Sequence, residues 1–326
     1  MSLRHLDRAV AAYTALRPAL VPATDAFVED VRTTLDEAGI NYLSVTGRTK
    51  SVESFAGKAR GVLHDGPGSD PMVVVTDQVG VRVVTYVQRD IDAVAGLLAE
   101  QFTVLDDRDL GVETAAAGRF GYASRHLLVT RSRARDAGYE PLQCASVQLR
   151  TVLQHAWAEF EHDIRYKGTV PPEQVPDLDR RFTLAAGLLE LADREFQTIR
   201  DRLQAGAGST GVDHPDEDDP RISAPELATF LAGRYSSAGW SRTDHYQWIS
   251  GLLLELGIAS LDELGSTLRD VDSAAVTAAM AYRYPPGAVR RLDDDLLSRF
   301  GQAYVGLHGN AHRREALEAR RARLTG

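Results

Sequence analysis

The sequence predicts an α/β fold of the α+β kind, a mixed β-sheet flanked by helices, followed by an all-helical extension. Three observations predict it. Short β-branched runs interleave with helix-period stretches as far as Lys167. Beyond Gly168 the apolar spacing is helical throughout. Between the two regimes, AGAGSTGVDHPDEDDP at 205–220 is small, acidic and proline-containing, and reads as a linker. The expected organisation is a sheet domain with flanking helices at 1–204, the linker at 205–220 and a helical domain at 221–326.

Each element has a local reason. Leu6, Val10, Tyr13, Leu16, Val28, Val31 and Leu35 recur at helical spacing, and Pro18 and Pro22 predict a break into two helices. NYLSVT at 41–46 is short and β-branched, hence a strand. Ser51 can cap the helix that follows, with Ser54 in its first turn. The valine-rich segment 71–87 reads as two strand pieces around Asp77–Gly80. Asp90 is expected to cap the next helix, and TVLDD at 103–107 is a strand. GYASRHLLVT at 121–130 alternates as a strand does, and ASVQLRT at 145–151 is another strand, running into the helix 152–167. Residues 176–204 form a long amphipathic helix. From 222 onward nearly everything is helical, and the arginines of RREALEARRARL read as a solvated terminal helix.

Composition narrows the function. With 326 residues, 44% hydrophobic and 25% charged, the chain is an ordinary soluble globular protein. It has no apolar run of the roughly 18 residues that a membrane helix needs. Charges in MSLRHLDRAV stand where a signal peptide needs an apolar core, so a cytoplasmic location is expected. Cys144 is alone, which excludes an internal disulfide and a cysteine zinc site. A net charge of −9 argues against broad binding to a nucleic-acid backbone while leaving room for a local basic pocket.

Three segments carry chemistry. In GRTKSVESFAGKAR, Arg48, Lys50, Lys58 and Arg60 cluster near a strand-to-helix junction. Such a cluster can surround a polyphosphate, aided by the helix N-terminus; by itself it reads first as a solvated basic face. In DQVGVR, Asp77 sits at the edge of a valine-rich segment, where an acid needs an ion pair or a metal. Beside phosphates it suits Mg²⁺; the plain alternative is an ion pair with Arg82. In GYASRH, Tyr122, Ser124 and His126 share one strand face, an arrangement suited to a purine or to an ordinary core strand.

Taken in order, GRTKSVESFAGK, DQVGVR, GYASRH, VQLRT and HAWAEFEHDIRYK resemble the synthetase domain of the RelA/SpoT alarmone synthetases. That family's pattern is R-x-K-x-x-x-S-x-x-x-K, D-x-x-G-x-R, Y-x-S-x-H, E-x-Q-x-R-T and W-A-x-x-E-H-x-x-x-Y-K. The resemblance spans about 25–170 and does not reach 222–326. It implies a nucleotidyltransferase-like domain that moves the β,γ-pyrophosphate of ATP to the 3′-hydroxyl of GDP or GTP with Mg²⁺. It further implies that Arg48 and Arg82 sandwich the adenine and that Lys50, Ser54 and Lys58 hold the ATP phosphates. Asp77 would bind Mg²⁺. Tyr122 would stack on the acceptor base, Ser124 and His126 would lie near the acceptor, and Gln148 and Arg150 would line its side of the site. Asp77, Lys50 and Arg82 are the expected catalytic set.

One position departs from the pattern. The family's E-x-Q-x-R-T glutamate, implied to contact Mg²⁺ and to act as the base, is Ser146 here. Serine accepts no proton near neutral pH and is a poor magnesium ligand. Three readings follow: a substitute acid from Glu159 or the Asp106–Asp109 cluster, a changed acceptor such as an adenine nucleotide or the tRNA 3′ end, or a nucleotide-binding regulatory module. Survival of transfer, with GDP or GTP as acceptor, is the expectation. His155, Glu159 and His162 have metal-ligand spacing, but a helix packed behind the sheet accounts for them better. No alarmone-hydrolase histidine–aspartate set is recognisable. The helical C-terminal region carries no catalytic cluster; it either packs on the synthetase domain, completing its core, or docks a partner, closes over the site or mediates oligomerisation.

Overall fold

The structure is a computed structural model, and it describes residues 2–66, 68–111, 113, 124–134, 136–167, 171–206, 219–282 and 286–325. The chain divides into two compact units, one of Met1–Thr34 with Tyr42–Gln197, the other of Leu35–Asn41 with Thr198–Gly326.

The first unit is built on a five-stranded sheet in the order β1-β2-β5-β4-β3. Its strands are β1 (Tyr42–Thr49), β2 (Val79–Thr85), β3 (Thr103–Asp109), β4 (Arg125–Thr130) and β5 (Cys144–Thr151). Only β2 and β5 run parallel; the other neighbouring pairs are antiparallel, so the sheet is mixed, as the sequence predicts. Val79, Val81 and Val83 of β2, Val147 and Leu149 of β5, and Leu127 and Val129 of β4 are buried, while Gly80, Arg82, Ser146, Gln148, Arg150, His126 and Leu128 between or beside them are half-buried. This period-two pattern gives the sheet an apolar face and a polar one.

Helix α1 (Ser2–Glu37) packs on the apolar face. A Cβ at Gly47 of β1 would come within 2.6 Å of Val28, which is why that position is glycine. The expected break at Pro18 and Pro22 does not occur; both lie inside one continuous helix, on its exposed side. Each interior proline costs about 3 kcal/mol. Tyr13, Leu20, Phe27, Val31 and Leu35 are all fully buried, each contributing about 1.5–3 kcal/mol, and that stripe outweighs the two prolines.

Two more local expectations are corrected. Pro71–Val74 is one helical turn rather than a strand piece: Asp70 accepts the Met72 N–H and Pro71 stands at the first helical position. Helix α3 (Gln88–Gln101) begins after Val87, so Asp90 lies in its first turn instead of capping it. Helix α2 (Val52–Asp65) is capped by Ser51, whose Oγ accepts the Ser54 N–H. Helix α4 (Val152–Lys167) continues directly from β5, and α5 (Val175–Gly206) follows; Leu184, Leu188 and Leu191 on it are exposed.

The second unit is helical, with a core that includes Leu227, Leu231, Ile249, Leu253, Leu264, Leu292 and Leu296. Its helix α6 (Ala224–Arg234) opens on a Ser223–Glu226 capping box. Helix α7 (Ala288–Phe300) buries three consecutive aspartates, Asp293, Asp294 and Asp295. The terminal helix α8 (Arg314–Thr325) is not merely solvated. Arg320 is buried, pairing Asp293 at 2.6 Å and also binding Asp294; Arg313, just before the helix, pairs Asp293 at 2.6 Å. Buried aspartates need such partners, so the arginine-rich tail is partly internal. Among the described residues, no helix is long and apolar enough to cross a membrane.

Candidate functional site

Lys50 follows β1 by one residue, and three groups fix its backbone. Its N–H donates to the Gln78 carbonyl at 3.0 Å. Its carbonyl accepts the Tyr13 hydroxyl at 2.7 Å and the Arg17 Nε–H at 3.1 Å. Tyr13 in turn stacks on Phe55 of α2, with ring centroids 4.1 Å apart. The side chain of Lys50 is therefore held in a buried place, and Asp77 neutralises it: Lys50 Nζ lies 2.6 Å from Asp77 Oδ2. Lys58, on the exposed side of α2, reaches the same oxygen at 2.7 Å.

The turn that carries Asp77 is fixed by the fully buried Gln78, whose side-chain amide donates to the carbonyls of Met72 and Val75. Tyr139 donates to the Val75 carbonyl from the other side, and burial pushes its hydroxyl far above the ordinary tyrosine range. Burial also pulls Lys50 below the ordinary lysine value, although Asp77 opposes this. For Asp77 burial works upward, but the hydrogen bonds and charges of Lys50 and Lys58 outweigh it and hold the carboxyl below its usual value.

The polar face of the sheet supplies the rest. Thr46, Arg82, Gln148, His126 and Arg108 form one row across all five strands, so their side chains share a face. Arg82 bonds Glu159 of α4 at 2.8 Å. His126 Nε2 lies 2.7 Å from Ser124 Oγ. Burial, followed by the charges of Arg150, Arg108 and Lys58, keeps the His126 imidazole below its ordinary value. Burial and the Arg82 charge also lower Arg150, with Glu159 opposing them. The Lys–Asp–Lys cluster and the arginine–histidine row thus act on one another electrostatically.

Among the sequence-predicted residues, Lys50, Lys58 and Asp77 meet directly, and Ser124 and His126 meet each other. Arg82, Gln148 and Arg150 stand on the same sheet face. Arg48 and Ser54 are exposed on either side of Lys50, and Tyr122 lies outside the described residues. Sequence reasoning passed over Tyr13, Arg17, Gln78 and Tyr139. Tyr13 falls in the apolar stripe of α1 and reads as plain core; only its hydroxyl distinguishes it.

Ser146 has Gly80 and Leu128 as its register neighbours, so no acid stands beside it in the sheet. Of the expected substitutes, Asp106 shares the register row of Ser146 but stands two strands away on the exposed edge strand, Asp107 points to the opposite face, where it accepts two hydrogen bonds from Arg125, and Asp109 accepts the Gly111 N–H. Glu159 reaches the polar face but is engaged by Arg82 and lies 3.7 Å from His155. Among the described residues, no group of three or more His, Cys, Asp or Glu could hold a metal ion. Asp77 alone, with phosphate oxygens, is a donor set that fits Mg²⁺, which takes few carboxylates and completes its shell with phosphate and water.

Comparison with known proteins defines the class. Residues 47–170 match the family described as "Region found in RelA / SpoT proteins". The chain is 32% identical to GTP pyrophosphokinase YjbM of Bacillus subtilis (strain 168) over 167 residues, 49% of this chain and 72% of that protein. It is also similar to crystal structures of small alarmone synthetase 1 from Bacillus subtilis. One is at 24% identity with a TM-score of 0.48, covering 60% of this chain and 99% of that one. Another, bound to its product pppGpp, is at 26% identity with a TM-score of 0.46 and the same coverage. The protein is a pyrophosphokinase. It belongs to the RelA/SpoT family of alarmone synthetases, through its sheet-bearing half.

Proposed function

We propose that the chain transfers the β,γ-pyrophosphoryl group of ATP to the 3′-hydroxyl of GDP or GTP, releasing AMP. The convergence of Lys50 and Lys58 on Asp77, beside the arginine–histidine row, carries this reading. Transfer of this kind makes and breaks bonds to phosphorus with little covalent work for the protein, so positioning and charge neutralisation dominate. Lys50 and Lys58 hold the ATP phosphates, with Ser54 beside them, and Arg48 and Arg82 flank the adenine. Asp77 would hold Mg²⁺, which on binding would neutralise phosphate charge. Tyr122, Ser124, His126, Gln148 and Arg150 receive the acceptor. The printed name of the relative, a GTP pyrophosphokinase, supports the guanine acceptor. The exposed leucines of α5 are compatible with a second copy or another protein partner, and a cytoplasmic setting suits the substrates.

The test is incubation of the purified chain with labelled ATP, with and without Mg²⁺, and each of GDP, GTP, AMP, ADP and tRNA. Label appearing on GDP or GTP only with Mg²⁺ is the expected result. Ser146, with no acid beside it in the sheet, favours a second reading in which the acceptor is an adenine nucleotide or a tRNA end, and label appearing there would establish it. Binding of ATP with no labelled acceptor would identify a regulatory module instead.

A further inference from the structure

The geometry points to His126 as the general base that takes the proton of the acceptor 3′-hydroxyl, in the place of the carboxylate that Ser146 does not supply. The inference rests on the transfer proposed above and concerns which group makes it work.

Most nearby acids are committed, and Asp106, in the register row of Ser146, stands two strands away on the edge strand β3. Asp77 carries two lysines, Glu159 is bonded to Arg82, and Asp107 is held on the far face by Arg125. His126 sits in the polar row between Gln148 on β5 and Arg108 on β3. Its Nε2 lies 2.7 Å from Ser124 Oγ. The serine hydroxyl can accept or donate in this contact; in the tautomer that donates Nε2–H to it, Nδ1 carries the free lone pair. The cations facing it are Arg150 from β5, Arg108 from β3 and Lys58 from α2; Asp77 and Glu113 oppose them. Burial first, and then these cations, outweigh the acids and hold the imidazole below its ordinary value, so it is neutral near neutral pH and ready to accept a proton.

The step balances. The 3′-hydroxyl proton passes to His126, the freed oxygen bonds the β-phosphorus of ATP, and the bond from that phosphorus to the α,β-bridging oxygen breaks. The electron pair leaves with AMP, whose departing oxygen is protonated from solvent or from the imidazolium.

The experiment compares the full-length chain with its His126→Gln variant, which retains an amide able to bond Ser124, under saturating ATP and Mg²⁺ with the acceptor that the wild type uses. The expected result is a fall in kcat of about 10²- to 10⁴-fold with the acceptor KM nearly unchanged. Wild-type kcat should rise with pH through a group titrating below the ordinary histidine value of about 6.5 and then level off. That rising limb should be absent in His126→Gln. Ser146→Glu placed in the His126→Gln background should restore at least tenfold. Retained kcat, a change confined to KM, or a rising limb that survives in His126→Gln overturns the assignment. An inactive wild type with every acceptor overturns the proposed transfer itself, and the base assignment with it. Equilibrium binding of acceptor to His126→Gln separates a folded variant from a collapsed one, and Ser124→Ala, expected to lower kcat by releasing the ring, gives a second reading.

Discussion

Asp77→Asn would remove a charge that two lysines share, and the two losses differ in size. Lys58 has a side chain 56% exposed, so its loss costs under about 1 kcal/mol. Lys50 has a side chain 1% exposed, and a buried ion stripped of its partner costs about 3–5 kcal/mol if it stays charged. Deprotonation limits that cost. Bringing a lysine from about 10.4 down to neutrality takes about 4–5 kcal/mol, at about 1.4 kcal/mol for each pKa unit. Asp77 is itself 24% exposed, so water relieves part of the penalty, leaving an expected loss of about 2–4 kcal/mol. Hydrogen exchange of peptides from β1 and β2 reports this unit alone, and should accelerate about 30- to 1000-fold at pH 7 after correction for intrinsic rates. The pH dependence has a definite sign. Burial already holds Lys50 below the ordinary lysine value, and without Asp77 it falls further. Between that lowered value and about 10.4 the folded state binds fewer protons than the unfolded chain, so stability rises with pH and the deficit narrows at pH 9. Adding Lys50→Met to Asp77→Asn should recover part of the loss by removing the orphaned ammonium. Unchanged exchange at pH 7, or a deficit equal at pH 7 and 9, would refute the reasoning.

Tyr13→Phe keeps the stack on Phe55 but removes the 2.7 Å bond to the Lys50 carbonyl; about 0.5–1.5 kcal/mol should be lost, with a raised KM for ATP in steady-state assays. Arg125→Ala breaks the pairs with Asp107 and Asp92 on the face away from the site, so denaturant titration should show a loss within about 1 kcal/mol and kcat and KM should hold. Asp293→Asn leaves Arg313 and Arg320 short of a buried partner and should cost the helical unit about 3–5 kcal/mol, read from hydrogen exchange of α7 and α8. Burial opposes the Asp293 charge, but Arg320 and Arg313 hold its carboxyl well below its usual value. Its contribution should therefore be complete above about pH 4 and decline as pH falls through the folded value, which acid titration of the same peptides follows.

The parts of the fold governed by local pattern were legible. Alternation in ASVQLRT and LLVT set which residues face the core, and that alone brings Arg82, Gln148, His126 and Arg150 to one side. Part of what escaped depends on partners distant in sequence. Pro18 and Pro22 signal a break, and only the buried stripe of α1 overrides it. The valines of 71–75 favour a strand until Asp70 and Pro71 are seen to start a helical turn. Arg320 looks solvated because Asp293 and Asp294 lie 27 and 26 residues away.

The family match begins at residue 47, yet the buried lysine cannot be placed by the matched segment alone. Lys50 has its carbonyl held by Tyr13 and Arg17, both on α1 and outside that segment. Thr24 of α1 also bonds Thr49 at the end of β1, and Gly47 gives the close approach that lets the helix lie there. A lysine is rarely buried unless paired, so something must keep its backbone from moving the ammonium into water. In this chain α1 fixes the backbone and Asp77 supplies the counter-charge. The Lys50–Asp77–Lys58 cluster is thus a property of helix and sheet together, and α1 belongs to the candidate site as much as the motif residues do.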